Sequence, residues 1–134
     1  MNRLFFIASL LFINNSNAVV DDIILADSFP EKLSEYEFFL DTKAQIPNDK
    51  VIPYELISSL FSDYSLKQRW VYVPSGLKAR YVRDEVFNFP VGSALIKTFY
   101  YPVDERDLSL GKKLLETRVS VSYTHLRAHE TLLD

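Results

Sequence analysis

The second half of the chain alternates β-forming runs with Pro-x-Gly sequences, and this pattern constrains the fold more than any other feature. Residues 69–73 and 94–101 are rich in the aromatic and β-branched residues that favour strands. Residues 74–76 and 90–92 each end in glycine, which readily adopts the left-handed backbone that a tight turn needs. We therefore predict two antiparallel hairpins, one at each of these turns.

Three further strands complete the predicted sheet, at residues 77–82, 86–89 and 113–119. The run 94–101 is the longest predicted strand. A charged loop of residues 102–111 joins it to 113–119, which favours antiparallel pairing of these two strands. Both faces of 94–101 are largely apolar, so we expect this strand to be central and covered on both sides.

Two short helices are predicted before the strands. The first spans residues 30–35, with Ser28 as its N-cap and with Leu33 and Tyr36 facing inward. The second spans residues 53–57, as a short helix or a single 3₁₀ turn. The predicted fold class is therefore mainly β (α+β): an antiparallel sheet from a partial sandwich or barrel, with short N-terminal helices.

The N-terminus is typical of a secretory signal peptide, which we assign to residues 1–18. Arg3 supplies a positive charge, residues 4–13 form an apolar run, and small residues at the end of the next stretch place cleavage after Ala18. The apolar run is shorter than the roughly 20 residues that cross a bilayer. We therefore expect that the protein is not an integral membrane protein after signal cleavage. The predicted location is periplasmic or extracellular, as in a Gram-negative-type bacterium.

Composition restricts what can stabilise such an exported domain and what it can bind. The chain has no cysteine, so its stability must come from a packed core rather than from disulfides. Residues 19–119 contain 7 Phe, 7 Tyr and one Trp, enough aromatic mass for a small core. The formal net charge of −3 argues against binding to nucleic acid, which usually requires a strongly basic surface.

Residues 120–134 differ in character from the rest of the chain. The string 122–131 resembles a translated adapter sequence, which predicts a non-native tail after an incomplete β-rich domain of residues 19–119. His125 and His129 both lie in this tail, and on a helix their spacing would put two imidazoles on one face, where they could hold a metal. If the tail is non-native, we expect no metal site and no cofactor in this chain. If the tail is native, His125 and His129 remain candidate metal ligands.

Lys97 is the most informative polar residue, because it interrupts an apolar strand. A lysine in such a place is costly unless it is paired or its ammonium group reaches water. Glu116, on the neighbouring predicted strand, is its natural cross-strand partner. In the functional interpretation, Lys97 and Arg118 hold an anionic group of a ligand. In the alternative, these charges form a structural ion pair at a sheet edge.

The other candidate sites carry weaker signals. Residues 104–107 could supply oxygen ligands for Ca²⁺, but their spacing does not match an EF-hand, and a solvated loop is favoured. Trp70, Tyr72 and Tyr81 could form an aromatic surface for carbohydrate; the alternative is that they pack in the core. Residues 63–64, followed by Lys67 and Arg69, could suggest a sugar or anion site, but a half-buried packing role is favoured. We predict no catalytic residue, because the chain has no Cys and no His outside the tail. Two-carboxylate hydrolysis remains the enzymatic alternative.

A resemblance to a known family spans residues 29–119. It is carried by the segments 30–35, 51–54, 60–67, 89–102 and 114–118, of which the long strand with its Pro-Val-Gly turn is the most specific. Through these segments the chain resembles a largely uncharacterised family of exported bacterial proteins. The resemblance implies a longer full-length protein with a downstream Cys-x-x-Cys-His motif suited to covalent haem. The present chain has no Cys, so no haem ligand can be assigned to any of its residues.

Three functional hypotheses follow, with the partner left open. The first is a scaffold or recognition part of a redox- or haem-associated periplasmic protein, with haem only in the full-length protein. The second is a carbohydrate- or envelope-binding module. The third is a secreted hydrolase that uses acidic residues.

Overall fold

The computed structural model of the protein describes residues 19, 21–58 and 60–123, together with the backbone of residues 127–132. The predicted signal peptide, its cleavage site after Ala18, and His125 lie outside the described residues. The described part is mainly β, with two antiparallel sheets and short helical segments near the N-terminus, as predicted.

Seven strands form the two sheets. The smaller sheet pairs β1 (Phe39–Asp41) with β2 (Ile46–Pro47). The larger sheet contains, side by side, β3 (Val51–Pro53), β4 (Leu66–Tyr72), β5 (Ala94–Pro102), β6 (Lys112–Val121) and β7 (Arg127–Leu132). Each neighbouring pair is antiparallel, and the described sheet is open, with β3 and β7 at its edges.

The strand predicted at 94–101 is confirmed as the centre of the larger sheet, where β5 lies between β4 and β6. β6 has 10 residues and β5 has 9, so the prediction that β5 is the longest strand was wrong. β6 also continues to Val121, past the predicted strand end at Val119. The backbone of His129 lies in β7 opposite Val119, in a strand rather than in the helix that a pair of histidines four apart would need.

The two predicted hairpins do not form. Residues 77–82 and 86–89 belong to no strand, and in the described structure an isolated bridge between Arg80 and Asn88 is what joins them. β4 pairs with β5 instead, across the connecting segment of residues 73–93. Burial explains this choice, because the longer ladder buries alternate side chains of β4 and β5, whereas the connecting segment stays largely exposed.

Both Pro-x-Gly turns are present, although they do not make hairpins. In each, the proline carbonyl accepts a hydrogen bond from the backbone N–H three residues later, at 3.1 Å. Gly76 has a φ of +80° and Gly92 a φ of +85°, in the left-handed region that other residues rarely adopt.

Alanine at these two glycines is expected to separate backbone strain from crowding. A Cβ added to Gly76 meets nothing within 4 Å, so G76A should cost about 1 kcal/mol of unfolding free energy, from the backbone alone. A Cβ added to Gly92 would lie 3.1 Å from Pro74 Cγ, so G92A should cost about 2 kcal/mol. Urea unfolding measures the difference, and equal losses would contradict crowding at Gly92.

The first N-terminal helix is shorter than predicted. In place of a helix over 30–35 there is a 3₁₀ helix, Leu33–Tyr36, whose first and last side chains are buried as expected. The Glu35 carboxylate accepts a hydrogen bond from the Lys32 N–H at 3.0 Å and so caps this turn. The prediction of Ser28 as the cap was wrong, because the helix begins too far along the chain for that side chain to reach it.

Two further helical segments differ from the prediction. No helix forms over 53–57, because β3 takes Pro53 as its last residue and the residues that follow have no regular secondary structure. A helix that the sequence did not indicate, α1 (Asp21–Ile24), lies near the start of the described chain. A second 3₁₀ helix, Leu108–Leu110, lies in the β5–β6 loop.

The hydrophobic core lies on one face of the larger sheet, which we call the inner face. Trp70, Ile96 and Val119 stand opposite one another on β4, β5 and β6, and each is buried. Phe39 contacts Trp70 edge to face, at 5.0 Å between ring centroids, and Phe38 covers the next part of the sheet. The prediction that β5 is covered on both sides was wrong, since its outer face stays partly open.

Two tyrosines tie α1 to the sheet. The Tyr72 hydroxyl donates to Asp21 Oδ1 at 2.5 Å, and the Tyr123 hydroxyl donates to the Ile24 carbonyl at 2.9 Å. Burial raises the pKa of the Tyr72 phenol above its ordinary value, and the hydrogen bond to Asp21 and its charge raise it further. Burial also raises the pKa of Tyr123.

Stability is therefore expected to fall in alkali. The Tyr72 contribution is complete below about pH 10, where both folded and unfolded chains keep the proton, and is lost as pH rises from there towards the folded pKa. Tyr72→Phe should flatten the fall by up to about 1.4 kcal/mol per pH unit, measured by urea unfolding between pH 9.5 and 11.5. Tyr81→Phe, which removes an exposed phenol, is the control; a slope unchanged by Tyr72→Phe would refute the linkage.

Candidate anion-binding face

The outer face of the larger sheet carries a row of three cations. Arg69 on β4 lies directly opposite Lys97 on β5, and Lys97 directly opposite Arg118 on β6. In an antiparallel sheet, opposed side chains project from the same face, with Cβ atoms about 5 Å apart. Strand alternation places this row on the face opposite the buried Trp70 and Ile96.

The Phe99 ring lies among these cations. It is opposite Lys67 on one side and Glu116 on the other. The Lys97 Nζ is 4.8 Å from the ring centroid, the Arg118 Cζ 5.2 Å and the Lys67 Nζ 5.8 Å, all within the range of cation–π attraction. We define the cationic cluster as Lys67, Arg69, Lys97 and Arg118.

The predicted pairing of Lys97 with Glu116 was wrong. The register sets Lys97 opposite Arg118, and Glu116 opposite Phe99, one row further along. Glu116 forms its ion pair with Arg118 instead, at 2.7 Å between Oε1 and Nη2. The cluster therefore brings four cations together with one carboxylate, an excess of three positive charges in a chain whose net charge is −3.

Electrostatics and hydrogen bonding show that the cluster is under-compensated. Burial lowers the pKa of Lys97, and the nearby charges of Arg118, Arg69 and Lys67 lower it further against the opposing effect of Glu116. The Arg118 Nε is buried and has no hydrogen-bond partner among the described residues. An anion beside this face would supply the missing negative charge.

Trp70 does not belong to this face, although it was a candidate ligand-binding residue. Its side chain is 3 % exposed, on the inner face, and Tyr72 is also buried. Tyr81 is exposed but lies on the connecting segment, where it contacts Phe87 with an angle of 51° between the rings. The three aromatic residues therefore do not form the flat, exposed surface that the carbohydrate hypothesis required.

The acidic residues of the β5–β6 loop bond locally. Asp104 accepts a hydrogen bond from the Arg106 backbone at 2.8 Å, and Asp107 accepts one from the Ser109 backbone at 3.0 Å. Across the described part of the chain, no group of three or more His, Cys, Asp or Glu side chains is placed to hold a metal ion.

The sequence indicated Lys97 and Arg118 as one candidate site and Lys67 and Arg69, with Asp63 and Tyr64, as a separate weak one; it did not indicate that the four cations lie together. Arg69 lies in the predicted strand 69–73, whereas Lys67 lies before it, because β4 begins at Leu66. What the sequence lacked was the pairing of β4 with β5, which alone sets Arg69 beside Lys97. The Pro-x-Gly turns indicated other strand partners for β4 and β5, so this pairing was not predicted from the sequence.

The chain matches no protein-family model, no curated protein and no solved structure in comparisons with known proteins. Among the described residues, no helix has the length and apolar character needed to cross a membrane. The geometry of the outer face is therefore the feature that indicates a function.

Proposed function

We propose that this chain is the recognition part of an exported protein, and that its outer face binds the carboxylate or phosphate group of a ligand. The observation that carries the proposal is the row Arg69–Lys97–Arg118, three cations held opposite one another with a single carboxylate nearby. Like charges directly opposite each other destabilise a sheet, so such a row is unfavourable until an anion lies against it.

The chemistry of the side chains suits oxyanions. A guanidinium presents paired N–H donors that match the two oxygens of a carboxylate or phosphate, and an ammonium adds a mobile point charge. Because β4, β5 and β6 hold the backbones of these residues in register, the three cationic groups already lie close together before an anion binds. The Phe99 ring between them offers an apolar surface for the uncharged part of a ligand.

The wider setting of this binding role is also a proposal. The signal-like N-terminus supports a periplasmic or extracellular location, and the family resemblance supports a recognition domain in a redox- or haem-associated protein, with any haem ligands outside this chain. An anionic envelope polymer is an alternative ligand for the same face. The hydrolase hypothesis gains no support from this face, because among the described residues Glu116 is the one carboxylate paired with the cationic cluster, and two-carboxylate hydrolysis needs a facing pair.

Binding of citrate and inorganic phosphate tests the proposal. Lys97→Gln is expected to weaken the affinity about tenfold, as loss of one charge-assisted contact does, and Lys78→Gln, which removes an exposed lysine of the connecting segment, should leave it unchanged. Titrations followed by NMR shifts of the Lys97 and Arg118 amides provide the measurement.

A stability measurement separates binding from folding. Since the folded state disfavours the charged form of Lys97, Lys97→Gln should not lower the thermal midpoint. Equal affinities for the two lysine variants, or no saturable binding of either anion, would refute the proposed function.

A further inference from the structure

A short turn beside the cationic cluster exposes three large apolar side chains. Leu60 is 83 % exposed, Phe61 73 % and Tyr64 76 %. The Phe61 and Tyr64 rings contact each other edge to face at 5.2 Å, away from the core. Grouped apolar side chains at a surface, unlike single ones, mark a site of interaction. We call residues 60–65 the apolar turn.

The apolar turn has a defined conformation. The Ser65 N–H donates to the Ser62 carbonyl at 2.7 Å, and the Ser65 hydroxyl donates to the same carbonyl. Asp63 and Tyr64 have φ values of 41° and 62°, in the left-handed region that costs side-chain-bearing residues free energy. This backbone holds an aromatic residue at the surface, where it adds nothing to the core.

Two outer-face residues attach the apolar turn to the cationic cluster. The Lys67 ammonium, itself a member of the cluster, donates to the Leu60 carbonyl. The Tyr101 hydroxyl donates to the Asp63 carbonyl at 3.1 Å, and Tyr101 lies on the same face of β5 as Lys97. The exposed apolar side chains and the excess positive charge therefore adjoin on one side of the molecule.

We propose that this combined surface docks on a lipid bilayer that contains anionic phospholipid. The cationic cluster takes the phosphate groups of the lipid heads, and Leu60, Phe61 and Tyr64 enter the interfacial region, where aromatic and aliphatic side chains gain from partial burial. This inference rests on the proposed function and names the source of its anion. A small soluble anion would account for the cluster alone, and would leave the apolar turn without a role.

Charge sets the expected strength of docking. Lysine and arginine near an anionic membrane each contribute an attraction that salt screens. Four carboxylates oppose it: Asp63 in the apolar turn itself, and Asp104, Glu105 and Asp107 in the β5–β6 loop at the same end of the sheet. We therefore expect docking to need both components, the anionic lipid and the apolar turn.

Vesicle sedimentation tests the inference, with point variants of the same full chain so that its apolar N-terminal segment is constant in every arm. The chain is expected to bind vesicles of phosphatidylcholine with 30 % phosphatidylglycerol at least tenfold more tightly than phosphatidylcholine alone, and to lose most of this preference in 0.5 M NaCl. Phe61→Ser/Tyr64→Ser should weaken binding to the anionic vesicles at least tenfold, while leaving citrate binding unchanged. Tyr81→Ser, at an exposed aromatic residue of the connecting segment, is the matched control and should have no effect.

The outcomes distinguish this inference from the proposed function. Citrate binding that depends on Lys97, with no preference for anionic vesicles, would overturn membrane docking and leave the proposed function standing. A Phe61→Ser/Tyr64→Ser variant that binds vesicles as well as the parent chain would also overturn docking. Capture of polyglutamate in place of vesicles would reassign the surface to an acidic protein partner. If the parent chain bound neither citrate nor anionic vesicles, both proposals would be refuted together.

Discussion

Trp70→Ala is expected to lower the free energy of unfolding by about 3–5 kcal/mol, a large part of the stability of a small domain. Trp70 is 3 % exposed, lies in register with Ile96 on β5, and contacts the edge of the Phe39 ring. Removing the indole would leave a cavity between the two sheets that rigid strands cannot close. Urea unfolding followed by far-UV circular dichroism measures the loss.

The control for Trp70→Ala is Tyr81→Ala, which removes an aromatic ring that is 68 % exposed and should cost less than about 1 kcal/mol. Because Trp70 is the one tryptophan and lies on the inner face, its fluorescence reports that face and not the outer one. Emission should be blue-shifted, as in a buried site, and should change little when citrate binds the outer face. A tolerated Trp70→Ala, or a large emission change on anion binding, would return Trp70 to the candidate ligand-binding residues.

Thr98→Val is expected to cost about 2 kcal/mol, although valine has nearly the same shape as threonine. Thr98 is 0 % exposed at the centre of β5, where its hydroxyl donates to Gln45 Oε1 at 2.5 Å and lies 2.8 Å from the Thr117 hydroxyl. Gln45 is itself buried, and its amide donates to the Thr42 carbonyl. Valine would leave the Gln45 oxygen and the Thr117 hydroxyl buried with one partner fewer.

Two variants check this interpretation of Thr98→Val. Thr98→Ser keeps the hydroxyl and loses one methyl, so it should cost about 1 kcal/mol. Thr98→Val/Thr117→Val removes both hydroxyls of the pair, so its loss should be smaller than the sum of the single losses. Thermal unfolding of these chains, with Thr117→Val alone and the parent, gives the comparison. If Thr98→Val proved as stable as the parent, the buried polar contacts would carry no net free energy.

The parts of the fold that the sequence predicted are those governed by local pattern. Alternating β-forming residues located β4, β5 and β6, and glycine located both turns, because strand propensity and positive φ are properties of a few adjacent residues. Strand partners are a different matter. A Pro-x-Gly turn brings the chain around but does not decide what it pairs with, and β4 gained more burial from β5 than from the segment that follows it.

The candidate site could be predicted only in part, for the same reason. Alternation placed Lys97 on a face of its strand, but its neighbours depend on register, and a shift of two residues exchanges Glu116 for Arg118 as its partner. Aromatic residues were ambiguous too. Trp70 and Tyr81 are both large and amphipathic, and only the assembled sheet shows that one is buried and the other exposed.

The strand register around Lys97 has a consequence for how the protein responds to its surroundings. Three backbones hold like charges in a line, and Lys97 lies between the other two, so rotating its side chain away from one cation brings it closer to the other. Dilute buffer should therefore weaken the folded state, and added electrolyte should strengthen it by shielding. The free energy of unfolding would therefore be highest at high counter-ion concentration and lowest in pure water.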